Sequence, residues 1–320
     1  MTSHYWRMRT YPPYFDSRTS WFPNAWAYRD AQAIYNPSAL AARHPEWILH
    51  DASGRKLFLQ FGCAHGTCPE YAADVGNPAF RAWWIADAQR ELAAGYRGVF
   101  IDDVNMALPT GDGNERSVAP VDPRTGRAMT QTAWQRYTAD FMVQVREALP
   151  GAEIVHNALW TLGDASAEIR RELAAADYIE IERGFNDPNI TAADFDALAR
   201  FIDDRHAAGQ GVILDGNAPT PAGRTYGLAT YFLVGDGDDA LANDAWTRPG
   251  HYWTGYDVDL GDARGPRYLR GGVWRRDFER GTVLVNPPGA PARTVRIGPG
   301  FQVTSVTLRP GSGAVLVRTA

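Results

Sequence analysis

Arg97-Gly98-Val99-Phe100-Ile101-Asp102-Asp103 is the stretch on which the fold turns. A glycine is followed by three bulky apolar residues, and the run stops abruptly in two carboxylates, the pattern of a short buried strand. Upstream, Asn77-Pro78 is an N-cap followed by a first-turn proline, and Phe80, Trp84, Ala88 and Leu92 repeat at helical spacing until Gly95. Downstream, a Gly/Pro/Asp-rich loop over 107–129 leads to a second helix carrying Trp134, Tyr137, Phe141 and Val145, which ends at Pro150-Gly151. The cycle repeats with strand Glu153–Asn157 and a helix over 165–175, and again with strand Tyr178–Glu182 and a helix opened by Thr191 and Asp194 in capping-box spacing. That helix stops at Gly209, before strand Gly211–Asp215, and periodicity leaves 226–234 open between helix and buried strand. Strands separated by crossover helices predict a parallel sheet with right-handed connections. Further strands are expected at 5–10, 25–35, 71–75 and 238–241, so eight are within reach. The fold class predicted is α/β, a (β/α)8 TIM-like barrel, ahead of a doubly wound open sheet, because no Gly-x-Gly-x-x-Gly turn follows the first strands.

The character of the chain changes near residue 258. Short β-type runs at 274–278, 282–285, 294–297, 303–308 and 314–317 are separated by Asn-Pro-Pro-Gly, Gly-Pro-Gly and Pro-Gly-Ser-Gly. The expected organisation is therefore a barrel over 1–257 and a small C-terminal antiparallel β domain over 258–320, read as structural. At 320 residues, 45% hydrophobic and 12% aromatic, the chain is not an intrinsically disordered one. No apolar run approaches the ~20 residues of a membrane helix, and a net charge of −5 with scattered basic residues gives no footprint for nucleic acid or an anionic membrane. Residues 1–25 lack the apolar core of a signal peptide, so the chain is expected to be cytoplasmic, or a mature form from which a leader has been removed. Cys63 and Cys68 lie five positions apart in one loop. That spacing admits a local bridge and equally two free thiols.

Polar residues at barrel strand ends are the candidates for chemistry. Here they are Asp74, Asp102 with Asp103, Asn157, Glu182 with Arg183, and Asp215 with Asn217. A lone aspartate at such a place is more often a helix cap or an arginine partner, but several acids crowded in one cleft repel one another and raise at least one pKa. Two carboxylates facing across a cleft are what glycosidic bond cleavage requires. Asp102 follows an apolar run that points it at the barrel mouth, and Glu182 ends Tyr178-Ile179-Glu180-Ile181-Glu182, with Asp103 and Glu180 in reserve. Trp26 and Trp160, with Trp6 and Trp21, fall in loops or at strand ends, where an aromatic face stacks on a sugar. His156 reads as a satisfied core histidine and Asp236-Gly237-Asp238-Asp239 as a solvated turn rather than a calcium loop. There is no Gly-x-Ser-x-Gly elbow, phosphate loop or His-Glu-x-x-His helix.

Three stretches, His44-Pro45-Glu46-Trp47-Ile48-Leu49-His50-Asp51, Asp74-Val75-Gly76-Asn77-Pro78-Ala79 and Gly98-Val99-Phe100-Ile101-Asp102-Asp103, resemble glycoside-hydrolase-like family 15. More distantly they are similar to amylase-like and polygalactosaminidase-type barrels. The resemblance implies an acid at the end of strand four, which maps onto Asp102, and a second after strand six, which maps onto Glu182 in Ile181-Glu182-Arg183-Gly184-Phe185. The segment from Phe278 to Pro287 is similar to the C-terminal β domain of such enzymes. The chain begins so close to the presumed first strand that this strand is expected to be shortened or absent. The function expected is hydrolysis of an oligo- or polysaccharide by the pair Asp102 and Glu182. Asp103, Asn157, Trp160, Asp215, Asn217, Asp74 and Trp26 are the expected substrate contacts; no metal or organic cofactor, no nucleic-acid or membrane partner, and a monomer are expected. A non-catalytic carbohydrate-binding barrel and a metal-dependent hydrolase are the alternatives.

Overall fold

The computed structural model describes residues 6–114, 116–158, 166–242 and 252–319. The chain forms two compact units, Met1–Ile179 and Glu180–Ala320. Its α/β part is built on parallel strands β1 (Met8–Thr10), β2 (Ala25–Asp30), β3 (Gly98–Asp102), β4 (Glu153–Asn157), β5 (Tyr178–Glu182), β6 (Gly211–Asp215) and β7 (Ala240–Ala242). The helices between them are α1 (Pro78–Ala93), α2 (Gln131–Ala148), α3 (Ala167–Leu173), α4 (Ala192–Ala207) and α5 (Pro221–Val234). The unit boundary falls within β5. Among the described residues no helix is long and apolar enough to cross a membrane.

In the first unit β2 pairs with β1 and β3, and β3 pairs with β4, all in parallel. Val99, Phe100 and Ile101 of β3 are fully buried. Gly98 opens that strand because a β-carbon there would stand 2.0 Å from the Glu153 carbonyl oxygen of β4. Helix α1 begins where the sequence says: Asn77 Oδ1 accepts from Ala79 N at 2.9 Å, Pro78 follows, and Gly95 at φ 105° ends the turn. Trp84 of α1 meets Phe141 of α2 edge-on at 5.3 Å, both buried in the core with Phe80 and Trp134. In the second unit β6 pairs in parallel with β7. Helix α4 carries the expected Thr191/Asp194 capping box, and the open segment at 226–234 is helical, as part of α5.

Seven parallel strands of this kind, not eight, are present among the described residues, which corrects the expected count. The segment expected at 71–75 is a short strand, Glu70–Ala72, paired antiparallel with Ala33–Tyr35 and Phe58–Leu59 in a side sheet. A parallel return needs a crossover of a dozen or more residues, usually a full helix. Between Asp30 and Glu70 the longest helix the chain supplies is the five-residue Ala39–Arg43, so hairpin pairing prevails. The same geometry splits the 25–35 segment into β2 and the antiparallel Ala33–Tyr35. Cys63 and Cys68 form a disulfide in the loop before Glu70.

The C-terminal strands are β8 (Tyr268–Arg270), β9 (Val273–Asp277), β10 (Gly281–Asn286), β11 (Arg293–Arg296), β12 (Ser305–Leu308) and β13 (Ser312–Val317). They make an antiparallel sheet β8-β9-β10-β13 and a hairpin β11-β12, which share the apolar residues Val273, Leu284, Ile297 and Leu308. The larger sheet packs on α5, so closely that a β-carbon on Gly313 would lie 2.6 Å from Ala229 Cβ.

Candidate active site

The end of β3 delivers Asp102 into a ring of donors. Its Oδ1 accepts from Asn157 Nδ2 at 2.8 Å and from the Asp103 amide at 3.0 Å, and its Oδ2 accepts from the Tyr28 hydroxyl at 2.5 Å. Three donors on two oxygens match an ionised carboxylate, which only accepts. Sheet register explains who meets whom. Asp30 is the partner of Asp102 across β2 and β3, and Tyr28, two residues earlier, shares its face and stacks on Phe100 at 6.0 Å. Asn157 follows the His156–Ile101 pair on β4 and so arrives level with Asp102. Asp103 itself takes φ 53°, turning the chain out of the strand.

Asp30 is the unforeseen member. Tyr28 Oη lies 3.0 Å from Asp30 Oδ1, and the Tyr35 hydroxyl donates to Asp30 Oδ2. A phenol has one proton, and Tyr28 stands between two carboxyl groups. Both contacts are favourable only when one of those acids carries a proton of its own. Burial first, and then the charge of Asp102, pushes the Asp30 carboxyl above its ordinary value. Asp30–OH donating to Tyr28, and Tyr28–OH donating to Asp102, therefore satisfies the whole chain.

Glu70 completes the cluster. It is the antiparallel partner of Tyr35, and burial, followed by the charges of Asp30 and Asp102, pushes its carboxyl up to about 7. Burial and the same two aspartates raise the Tyr28 phenol as well. The nearest arginine in sequence, Arg29, points to the other face of β2 and pairs with Asp87 of α1. Three acids with a proton among them form the kind of site that holds one carboxyl ionised and another neutral at the same pH.

The other candidates fall in different places. Asp74 is buried and bound by Arg124 Nη1 at 2.8 and 3.0 Å and by the Gly76 amide at 3.1 Å. Arg124 comes from the 107–129 loop and reaches Asp74 over Gly76, where a β-carbon would stand 2.4 Å from the guanidinium. Trp26 lies at the opposite end of β2 from Asp30, buried, donating to Glu153 Oε2 at 2.8 Å. Glu182, Asp215 and Asn217 belong to the second unit, the first two closing β5 and β6 and Asn217 following at φ 37°. Asp215 is buried and Glu182 half-buried. Trp160 lies outside the described residues. Asp30 was legible in principle: Ala25-Trp26-Ala27-Tyr28-Arg29-Asp30 ends a strand in a carboxylate just as β3 does. Nothing in Cys68-Pro69-Glu70-Tyr71 marks Glu70, whose place depends on a side sheet formed with residues 33–35.

The profile of hypothetical glycosyl hydrolase family 15 matches residues 13–282. No curated protein matches the chain. Among solved structures, the chain is similar to the glycoside hydrolase domain of PelA from Pseudomonas aeruginosa, with a TM-score of 0.51 at 16% identity over 77% of this chain and 90% of that one. A variant of the same domain gives 0.51 at 15% identity over 78% and 91%. An α-amylase from Lactobacillus plantarum aligns with a TM-score of 0.46 at 13% identity over 95% and 80%.

Proposed function

The chain belongs to hypothetical glycosyl hydrolase family 15, and on that footing we propose that it is a glycosidase, cleaving a glycosidic bond of an oligo- or polysaccharide. Its parallel strands are read as those of a TIM-like barrel, with the chemistry at their C-terminal ends. Asp102 is the nucleophile or base, and Glu182, the last residue of β5, is the acid/base. Asp103, Asn157, Asp215 and Asn217 position the sugar. The observation that carries this reading is the three-donor cradle of Asp102, which orients its carboxyl oxygens at the end of β3. Such a group either attacks the anomeric carbon or takes the proton from an attacking water, while a second, protonated carboxyl serves the leaving oxygen.

Glu70 supports a second assignment of the proton donor. It shares the neighbourhood of Asp102, and a carboxyl pushed up to about 7 is still protonated near neutral pH. A screen of polysaccharides for new reducing ends, with wild type, Asp102→Asn, Glu182→Gln and Glu70→Gln, tests both. Loss of at least a hundredfold in Asp102→Asn and in one of the two glutamate variants is expected, and the glutamate that fails is the donor. Equal cleavage by wild type and Asp102→Asn removes Asp102 from its role. Binding of a glycan with no turnover by wild type favours the carbohydrate-binding reading instead.

A further inference from the structure

The C-terminal strands carry a charge unlike the rest of the chain. From Tyr268 to the end there are eight arginines against Asp277 and Glu279, a net +6, while the whole chain is −5 and residues 1–267 therefore carry −11. Some of these arginines are structural. Arg275 is bound to Asp277 at 2.8 Å, Arg276 donates to the Gly235 carbonyl at 2.6 Å, and Arg280 pairs with Asp259. Arg270, Arg293 and Arg296 are exposed and have no acidic partner among the described residues.

Those unpaired guanidinium groups gather around one cavity. A space of about 480 Å³ opens between the β8-β9 hairpin and β11, lined by Arg270, Arg275 and Arg296 with Leu284, Val295 and Ile297. Its rim is the Gly271-Gly272 turn, both residues at positive φ, against which Arg293 rests. The volume lies within the ~300–1,000 Å³ of ligand pockets, and the wall combines apolar surface with forked cationic donors. Arginine forks match the two oxygens of a carboxylate or sulfate in a way a point charge does not. The apolar residues suit the C–H face of a sugar ring. No aromatic ring lines the cavity, so it offers no platform for stacking nucleobases.

We propose that this cavity is a binding site for an acidic polysaccharide, with Arg270 and Arg296 holding carboxylate or sulfate groups and Val295 facing the ring. It lies wholly within the second unit and does not depend on the catalytic assignment above. The test is calorimetric titration of the full chain, in an Asp102→Asn background so that the polymer stays intact. The probes are polygalacturonate oligomers, dextran and double-stranded DNA. Polygalacturonate is expected to bind, dextran not to, and the Arg270→Gln/Arg296→Gln double variant to weaken binding at least tenfold. Arg309→Gln, an exposed arginine outside the cavity, is expected to change it less than twofold. Absence of polygalacturonate binding, or equal binding by the double variant, overturns the proposal. So does an equal loss in Arg309→Gln, which assigns the effect to bulk charge, and so does tighter binding of DNA.

Discussion

Asp30 and Asp102 stand opposite one another on paired strands and share a single phenol, that of Tyr28, at 3.0 and 2.5 Å. The arrangement needs a proton on one acid, and the other two donors on Asp102 assign it to Asp30. The Tyr28 hydrogen bond to Asp102 is thereby tied to the protonation of its neighbour Asp30.

Tyr28→Phe removes the donor to Asp102 while keeping the stack on Phe100. A hydrogen bond to a charged group is worth about 1.5–3 kcal/mol, so kcat is expected to fall about tenfold to a hundredfold. Asp30→Asn replaces the acid proton by an amide N–H, and kcat is expected to stay within about threefold of wild type. Steady-state kinetics on the substrate found by screening checks both. A loss in Asp30→Asn as deep as in Tyr28→Phe means that Asp30 works as an anion.

Glu70 is expected to weaken the fold as pH rises. Its folded pKa, about 7, lies above the ~4.3 of an unfolded chain. Below pH ~4 both states are protonated and the group is neutral in effect. Between ~4.3 and 7 the unfolded state ionises first, and above 7 the full penalty stands. Glu70→Gln should therefore match wild type in urea unfolding at pH 4 and exceed it by about 1–3 kcal/mol at pH 8. A difference that does not grow with pH contradicts the placement of Glu70 beside the two aspartates.

Glu153 has the opposite sign. Burial alone would raise its carboxyl, but hydrogen bonds from Arg7, Arg97 and Trp26 prevail and hold it at about 2. It contributes stability above the unfolded pKa of ~4.3 that is lost as pH falls toward 2. Glu153→Gln is expected to cost about 1–3 kcal/mol at pH 7 and little at pH 2, read by thermal unfolding at the two pH values. Activity per folded molecule should be unchanged, because this cluster sits at the far end of β2 from Asp30.

Gly98→Ala should be among the worst substitutions in the chain. A methyl at that position meets the Glu153 carbonyl at 2.0 Å, a backbone atom that cannot rotate aside. Separation of β3 from β4 is expected to cost about 3 kcal/mol or more and to lower soluble yield and the midpoint of urea unfolding together.

What the sequence disclosed was local. The Asn77-Pro78 start of α1, the Thr191/Asp194 capping box and the apolar run of β3 each depend on neighbours within a turn or two, and each is found in place. The strand expected at 71–75 depended instead on the direction of its partner, which residues 33–35 and 58–59 decide from a distance. Glu70 entered the candidate site by the same long-range pairing. Asp30 could be read as a carboxylate at a strand end, but only the register with Asp102 gives it a place in the cluster. Basic residues that look scattered along the chain also gather at one cavity once β8 and β11 are brought together.

The pairing of β2 with β3 also limits how the gene can vary. Side chains alternate along β2, so inserting one residue between Ala25 and Tyr28 would turn Asp30 and Tyr28 outward and bring Arg29 opposite Asp102. A cation would then stand where the proton-bearing acid now does, and the change would be chemical before it was mechanical. Length changes are therefore expected to be tolerated in the loops on either side of β2 and to abolish activity within it, even where the protein still folds.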